Sequence, residues 1–373
     1  MKALRLAHPQ LRDSVGEATT ELEATFDVAA EAARPPTARR WPRLEELTMR
    51  RPDSAALEAL GAETWGRLRA LGIGNWRSDI KCALDEPSTR ALSAALQRMP
   101  ALRALEMWNV ALSDASAAEL FGAEGAAAGL RKLAIVSAKL TPAAARLLAA
   151  TGWQLEELDL SSNHNLGAAG LAALLAAPTF ALRRLKLGGC DLEAAAVLNL
   201  ADAPWPLEKL HLAANNLSGA AAGPALAALS RHRGLRSLYV GYCGLSAAGF
   251  KALVEAAWPA LTYLGASHGA VQFDGPHALG DAAFAAFPAL EELGLVAMEL
   301  GEAGATLLAS RRWPRLKKLA LIYTQLGPTG VAALARGAWP ALEELDLGGN
   351  GLGAPLALQD ARRWAPALAR LYQ

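Results

Sequence analysis

The stretch Leu155-Glu-Glu-Leu158-Asp-Leu160-Ser-Ser-Asn163 carries the pattern that organises the whole chain. It returns as Leu207-Glu-Lys-Leu210-His-Leu212-Ala-Ala-Asn215 and as Leu342-Glu-Glu-Leu345-Asp-Leu347-Gly-Gly-Asn350. Apolar residues alternate around Leu158 and Leu160 with the period of two that marks a short strand buried on one face. Looser copies begin at Leu44, Leu68, Leu102, Leu130, Leu182, Leu235, Leu261, Leu290, Leu316 and Leu368, thirteen in all, at steps of 24 to 34 residues. A repeat in this range signals a solenoid, because one unit cannot bury its apolar face alone and must stack on its neighbours.

Behind each strand phrase comes an alanine-rich stretch such as Gly167-Ala-Ala-Gly-Leu171-Ala-Ala-Leu174-Leu175. Its apolar spacing of three and four, together with alanine's propensity, predicts a helix. Trp-Pro phrases from Trp258, Trp313 and Trp339 precede the next strand, and Trp41, Trp65, Trp153, Trp205 and Phe287 hold the same phase. Proline there ends the helix and extends the residue before it. Recurrence at one phase reads as packing between repeats rather than as a stacking platform for sugars or bases.

These phrases resemble the leucine-rich repeat over about residues 41 to 373, and units of 25 to 28 residues, long enough for a helix, resemble the ribonuclease-inhibitor-like class. The resemblance implies an α/β horseshoe, with a parallel sheet on the concave face and helices on the convex face. It also implies that Cys190, Cys243 and Thr324 fill the inward turn position held elsewhere by Asn163, Asn215 and Asn350. The expected organisation is an N-terminal helix and leading strand over 1–40, the strand in Thr20–Phe26, followed by about thirteen repeats over 41–373, the last incomplete. Residues Ala3-Leu4-Arg5-Leu6 through Val15 weakly resemble the closing helix of an F-box. Two alternative functions follow by resemblance: the substrate-recognition part of an F-box-type ubiquitin ligase, or a Ran-type GTPase regulator.

Composition narrows the classes. The 37 Lys and Arg against 36 Asp and Glu leave a net charge of +1, which supplies no broad field for nucleic acid. No run reaches the ~18 apolar residues of a membrane span, and no apolar signal core occurs among the first 20 residues. Three cysteines without paired spacing support neither a disulfide framework nor a zinc site, which points to a cytoplasmic setting. Walker-type and His-Glu-x-x-His patterns are absent, so neither a cofactor, a metal nor a catalytic residue is expected. The expected partner is another protein.

With the phrase leucines turned inward at positions 1, 4 and 6, positions 3, 5, 7 and 8 face the concave side. All five tyrosines fall there, Tyr239, Tyr242, Tyr263, Tyr323 and Tyr372, together with Trp108, His211 and His268. Tyrosine and tryptophan combine large apolar area with a polar tip and dominate interface hot spots. These eight are the candidate partner-binding residues. On the same face, Glu292, Lys318, Glu344 and Arg370 are expected to form an alternating charge ladder, and Glu157 with Asp159 to meet Arg184 with Lys186. Two long steps, 34 residues between Leu68 and Leu102 and 29 between Leu261 and Leu290, the second including 267–277, read as insertions, and a C-terminal phrase stopping inside a strand suggests either that the chain is a fragment or that another chain covers that edge.

Overall fold

The computed structural model describes residues 21–25, 38, 41–50, 52, 54–74, 82–122, 127–268, 282–353 and 356–373. The chain forms two compact units, Met1–Cys190 and Asp191–Gln373. The first contains, in chain order, β1 (Glu21–Thr25), β2 (Glu46–Arg50), α1 (Ser54–Gly61), β3 (Ala70–Gly74), β4 (Cys82–Ala83) and α2 (Glu86–Leu96). It continues through β5 (Ala104–Trp108), β6 (Val110–Ala111), α3 (Asp114–Phe121), β7 (Lys132–Val136) and α4 (Pro142–Ala149). It ends with β8 (Glu157–Asp159), α5 (Gly167–Leu175) and β9 (Arg184–Lys186). Its sheet is parallel throughout, in the order β1-β2-β3-β5-β7-β8-β9. β1 is the expected leading strand. A separate two-stranded sheet, β4 with β6, had no counterpart in the sequence reading.

The second unit repeats the scheme. It holds α6 (Ala194–Leu200), β10 (Lys209–His211), α7 (Ala222–Ala228), β11 (Ser237–Tyr239), α8 (Ala247–Glu255) and β12 (Tyr263–Ser267). Then follow β13 (Glu292–Val296), α9 (Gly301–Ala309), β14 (Lys318–Ile322), α10 (Gly327–Leu334), β15 (Glu344–Asp346), α11 (Leu358–Ala361) and β16 (Arg370–Tyr372). Strands β10 to β16 pair in sequence order, all parallel.

The leucines dictate this arrangement. Leu155, Leu158 and Leu160, like Leu342, Leu345 and Leu347, are at most 1% exposed. Each buried leucine contributes about 1.5–3 kcal/mol, more than any single surface pair, so the three per repeat decide which face turns inward. Helix starts are marked by side-chain caps: Asp85 accepts from Ser88 N, Ser113 from Ser116 N, Thr141 from Ala144 N and Ser246 from Gly249 N. Each cap satisfies a backbone donor that the first helical turn leaves unpaired.

Two buried devices join one repeat to the next. Asn163 Oδ1 accepts from Ala138 N and Leu140 N, both at 3.0 Å, while its Nδ2 donates to Ile135 O and Leu160 O. Asn350 similarly serves Thr324 N, Leu326 N, Leu321 O and Leu347 O. At the same turn Cys190 Sγ reaches Leu160 O at 3.1 Å and Cys243 Sγ reaches Leu212 O at 3.2 Å. The expectation for this inward position holds, and the asparagines meet buried backbone groups of two repeats that no water reaches.

Tryptophan supplies the second device. Trp65, Trp258, Trp313 and Trp339 each donate Nε1–H to the carbonyl five residues earlier, at 2.8–2.9 Å, and so cap the C-terminus of the preceding helix. All four are buried. In the Trp205 repeat the Leu200 carbonyl instead meets His232 Nε2 at 3.0 Å, and Trp205 Nε1 is buried without a partner.

The expected continuous ladder needs correction. Lys318 pairs with Glu292 at 3.3 Å and Arg370 with Glu344 at 3.1 Å, but among the described residues Lys318 makes no ion pair with Glu344. The Lys318 ammonium leans toward Glu292, so the series resolves into two pairs. Elsewhere Lys186 meets Asp159 at 3.0 Å, and Arg184 meets Glu157. The F-box-like segment, residues 75–81 and residues 269–281 lie outside the described residues.

Candidate binding surface

Positions 3 and 5 of each phrase project from the sheet face opposite the leucine core. At position 8 the chain leaves the strand through a left-handed residue: Asn109, Ser137, Ser162, Ala214, Tyr242, His268, Ala297 and Tyr323 all have φ between 50° and 61°. The N–H of this residue still bonds the next strand, as in Tyr242 N to Ser267 O at 2.9 Å and Tyr323 N to Gly348 O at 2.8 Å. The sheet hydrogen bond therefore holds a conformation that L-residues otherwise avoid.

In the Asp191–Gln373 unit this geometry gathers aromatic rings. His211 and Tyr239 lie with ring centroids 4.8 Å apart, and Tyr242 stacks on His268 at 3.9 Å. Tyr239 leans across Gly265, where a Cβ would fall 2.5 Å from its Cδ2 and 2.7 Å from the Tyr263 hydroxyl. Only glycine admits both rings so close to the strand. Burial, with Tyr239 and Glu292 nearby, pushes the Tyr263 phenol above its ordinary value.

A cavity of about 330 Å³ opens beside these rings. Tyr239, Tyr242, Tyr263 and His268 form its aromatic side, Gly265, Gly294 and Ala320 its floor, and Glu292, Lys318, Glu344 and Asp346 its charged side. Ser267 lines it as well. Four of the eight expected residues thus share one site. His211 touches it only through Tyr239, since it is not among the lining residues. Tyr323, 65% exposed, and Tyr372, 45% exposed, stand further along the sheet. Trp108 belongs to the Met1–Cys190 unit, half-buried at the end of β5.

Reading tyrosines alone misses the floor. Gly265, Gly294 and Ala320 occupy position 5 of three successive repeats, a run of small residues visible in the phrases once they are aligned. Asp346 at the same position also passes unnoticed, because it looks like a copy of Asp159.

Repeated strands bearing buried leucines, each followed by a helix and tied by an inward Asn, Cys or Thr, define a leucine-rich-repeat solenoid. The fold is that of a leucine-rich-repeat solenoid, and the chain resembles the ribonuclease-inhibitor-like class. A family profile described as "Leucine Rich repeat" matches residues 155–175. The chain is 34% identical over 178 residues to ribonuclease inhibitor of Sus scrofa, an alignment that takes in 45% of this chain and 39% of that relative's length. Among solved structures it resembles the yeast Rad7 and Elc1 complex, at a TM-score of 0.52 and 15% identity, over 88% of this chain and 74% of that one. No helix among the described residues is long and apolar enough to cross a membrane, and no cluster among them is suited to hold a metal ion.

Proposed function

We propose that this chain is a non-catalytic interaction scaffold that binds a protein partner through the solvent-facing side of its sheet, centred on Tyr239, Tyr242, Tyr263 and His268. The observation that carries the reading is the aromatic-walled cavity on an otherwise regular sheet. Rigid phenol rings held by the strands lose little freedom on binding and offer both apolar area and a hydrogen bond. His211, Tyr323 and Tyr372 extend the surface to either side, and Trp108 offers a smaller aromatic contact in its own unit. The related ribonuclease inhibitor and the Rad7–Elc1 complex carry names that speak of protein binding, which agrees with this use of the fold.

The test is affinity purification of the native protein with quantitative mass spectrometry, followed by binding measurements on the recovered partner. A Tyr239→Ala plus Tyr263→Ala variant should bind at least tenfold more weakly, since hot-spot truncations cost about 2 kcal/mol each. Its circular dichroism should match the wild type, because both rings stand outside the leucine core. Undiminished binding would remove this surface from consideration.

A further inference from the structure

Across β11 to β15, position 5 reads Tyr239, Gly265, Gly294, Ala320 and Asp346 in strict register. The Tyr239 and Tyr263 rings close over Gly265, whereas a Cβ at Gly294 would meet nothing within 4 Å. The open part of the cavity therefore lies above Gly294 and Ala320, with phenol rings on one side and Asp346 on the other.

Charge on the lining is unbalanced. Glu292, Glu344 and Asp346 contribute three carboxylates against the one ammonium of Lys318. Glu292 has Lys318 and Glu344 has Arg370, but Asp346 makes no ion pair among the described residues. Its strand neighbours are Ala320 and Tyr372, and its Oδ1 accepts only Gly348 N, at 3.0 Å. Asp159, the equivalent residue in the other unit, has Lys186 beside it at 3.0 Å. A second polar group is also unmet. Ser267 lines the cavity at 6% exposure, and its Oγ has no hydrogen-bond partner.

We infer that the cavity receives an arginine side chain of the protein partner, its guanidinium on the Asp346 carboxylate and its stem lying over Gly294 and Ala320 toward the Tyr239 and Tyr263 rings. This rests on the proposed protein-binding role of the surface. An anion would meet excess negative charge, and an apolar group would leave Asp346 and the Ser267 hydroxyl unsatisfied. An arginine side chain has the matching inventory: paired N–H donors and a permanent charge for the carboxylate on β15, and an apolar stem long enough to lie over Gly294 and Ala320 toward the rings on β12. A lysine ammonium supplies the charge without the paired donors that fit a carboxylate.

The experiment titrates the ¹⁵N-labelled full chain with N-acetyl-argininamide, using N-acetyl-citrullinamide as the neutral isostere and N-acetyl-lysinamide as the point charge. Argininamide should shift the Gly265 and Gly294 amide signals saturably, and the other two probes should bind at least about fivefold more weakly. Asp346→Asn, which keeps an oxygen for Gly348 N, should weaken argininamide by a similar factor while leaving the remaining amide signals in place. Absent saturation, equal binding of either comparator, or an unaffected Asp346→Asn variant would overturn the assignment. Should arginine fail while the Tyr239→Ala plus Tyr263→Ala variant still loses its partner, the surface stands and only its ligand chemistry is wrong. If instead partner binding survives the double variant, the surface itself is wrong.

Discussion

Tyr242 and His268 stack across adjacent repeats with ring centroids 3.9 Å apart and planes inclined by 17°, and both do so from a left-handed backbone, at φ 56° and 50°. Backbone strain and ring stacking therefore act at the same residue with opposite sign. A left-handed non-glycine residue costs about 1–2 kcal/mol, and an aromatic pair returns about 0.5–1.5 kcal/mol. Tyr242→Ala loses the stack and keeps the strain, whereas Tyr242→Gly loses both. Urea denaturation should show the glycine variant more stable than the alanine variant by about 1 kcal/mol. The reverse order would mean that position 8 is not held left-handed in solution.

Trp313 is 3% exposed, donates to Leu308 O at 2.8 Å and stacks on Trp339 with planes 6° apart. Its removal deletes packing and leaves a helix carbonyl unmet. Trp313→Ala should lower stability by about 3–5 kcal/mol, and Trp313→Phe, which keeps most of the area but not the N–H, by about 1–2 kcal/mol. Equal losses from the two variants would show that the indole hydrogen bond, rather than the ring area, carries the stabilisation.

Burial pushes the Cys190 thiol up to about 12 and the Cys243 thiol up to about 11, from an ordinary 9.0. The folded state thus holds these protons after the unfolded chain has released them. Their contribution to stability is complete below about pH 9 and is lost as pH rises through the folded values. Melting temperature should fall less steeply between pH 9 and pH 11 in a Cys190→Ala plus Cys243→Ala variant than in the wild type, each scaled to its value at neutral pH. At neutral pH a thiol reagent should leave both residues unmodified until denaturant is added, as read by peptide mass spectrometry.

Lys318 lies between Glu292 and Glu344 in register, and all three side chains are partly exposed. Lys318→Glu sets like charges on three adjacent strands. The cost should be about 0.5 kcal/mol at low salt, in keeping with solvent-screened pairs, and should largely vanish at about 0.5 M salt. Chemical denaturation at the two salt levels reads it directly. A salt-independent loss would point to displaced packing rather than charge.

Much of the fold was legible because its cause is local and repeated. Leu155, Leu158 and Leu160 state in six residues which face is buried, and every further copy restates it. The turn position was equally readable at Cys190 and Cys243, since a small inward polar or thiol group is required there in each repeat. The indole caps were not, because the same Trp-Pro phase is compatible with packing alone. Only the helix end shows that Nε1 of Trp258 reaches Leu253 O. The β4–β6 pairing escaped for a similar reason: two-residue strands carry no period.

The candidate site divides along the same line. Alternation by itself placed Tyr239, Tyr263 and Tyr372 on the open face, because a period of two leaves a strand residue no third choice, whereas Tyr242 and Tyr323 leave their strands at position 8 through the left-handed backbone. Which of them meet was a tertiary matter, decided where neighbouring strands bring side chains from distant parts of the chain to within one ring's width. Gly265 lets Tyr239 and Tyr263 close together, while Tyr323 and Tyr372 remain apart on later strands. Charge followed the same rule. Asp159 and Asp346 sit in nearly identical phrases, yet one has Lys186 on the next strand and the other has Tyr372. A repeat's sequence determines its own faces, but the balance of charge and space at a point on the sheet belongs to the strands on either side of it.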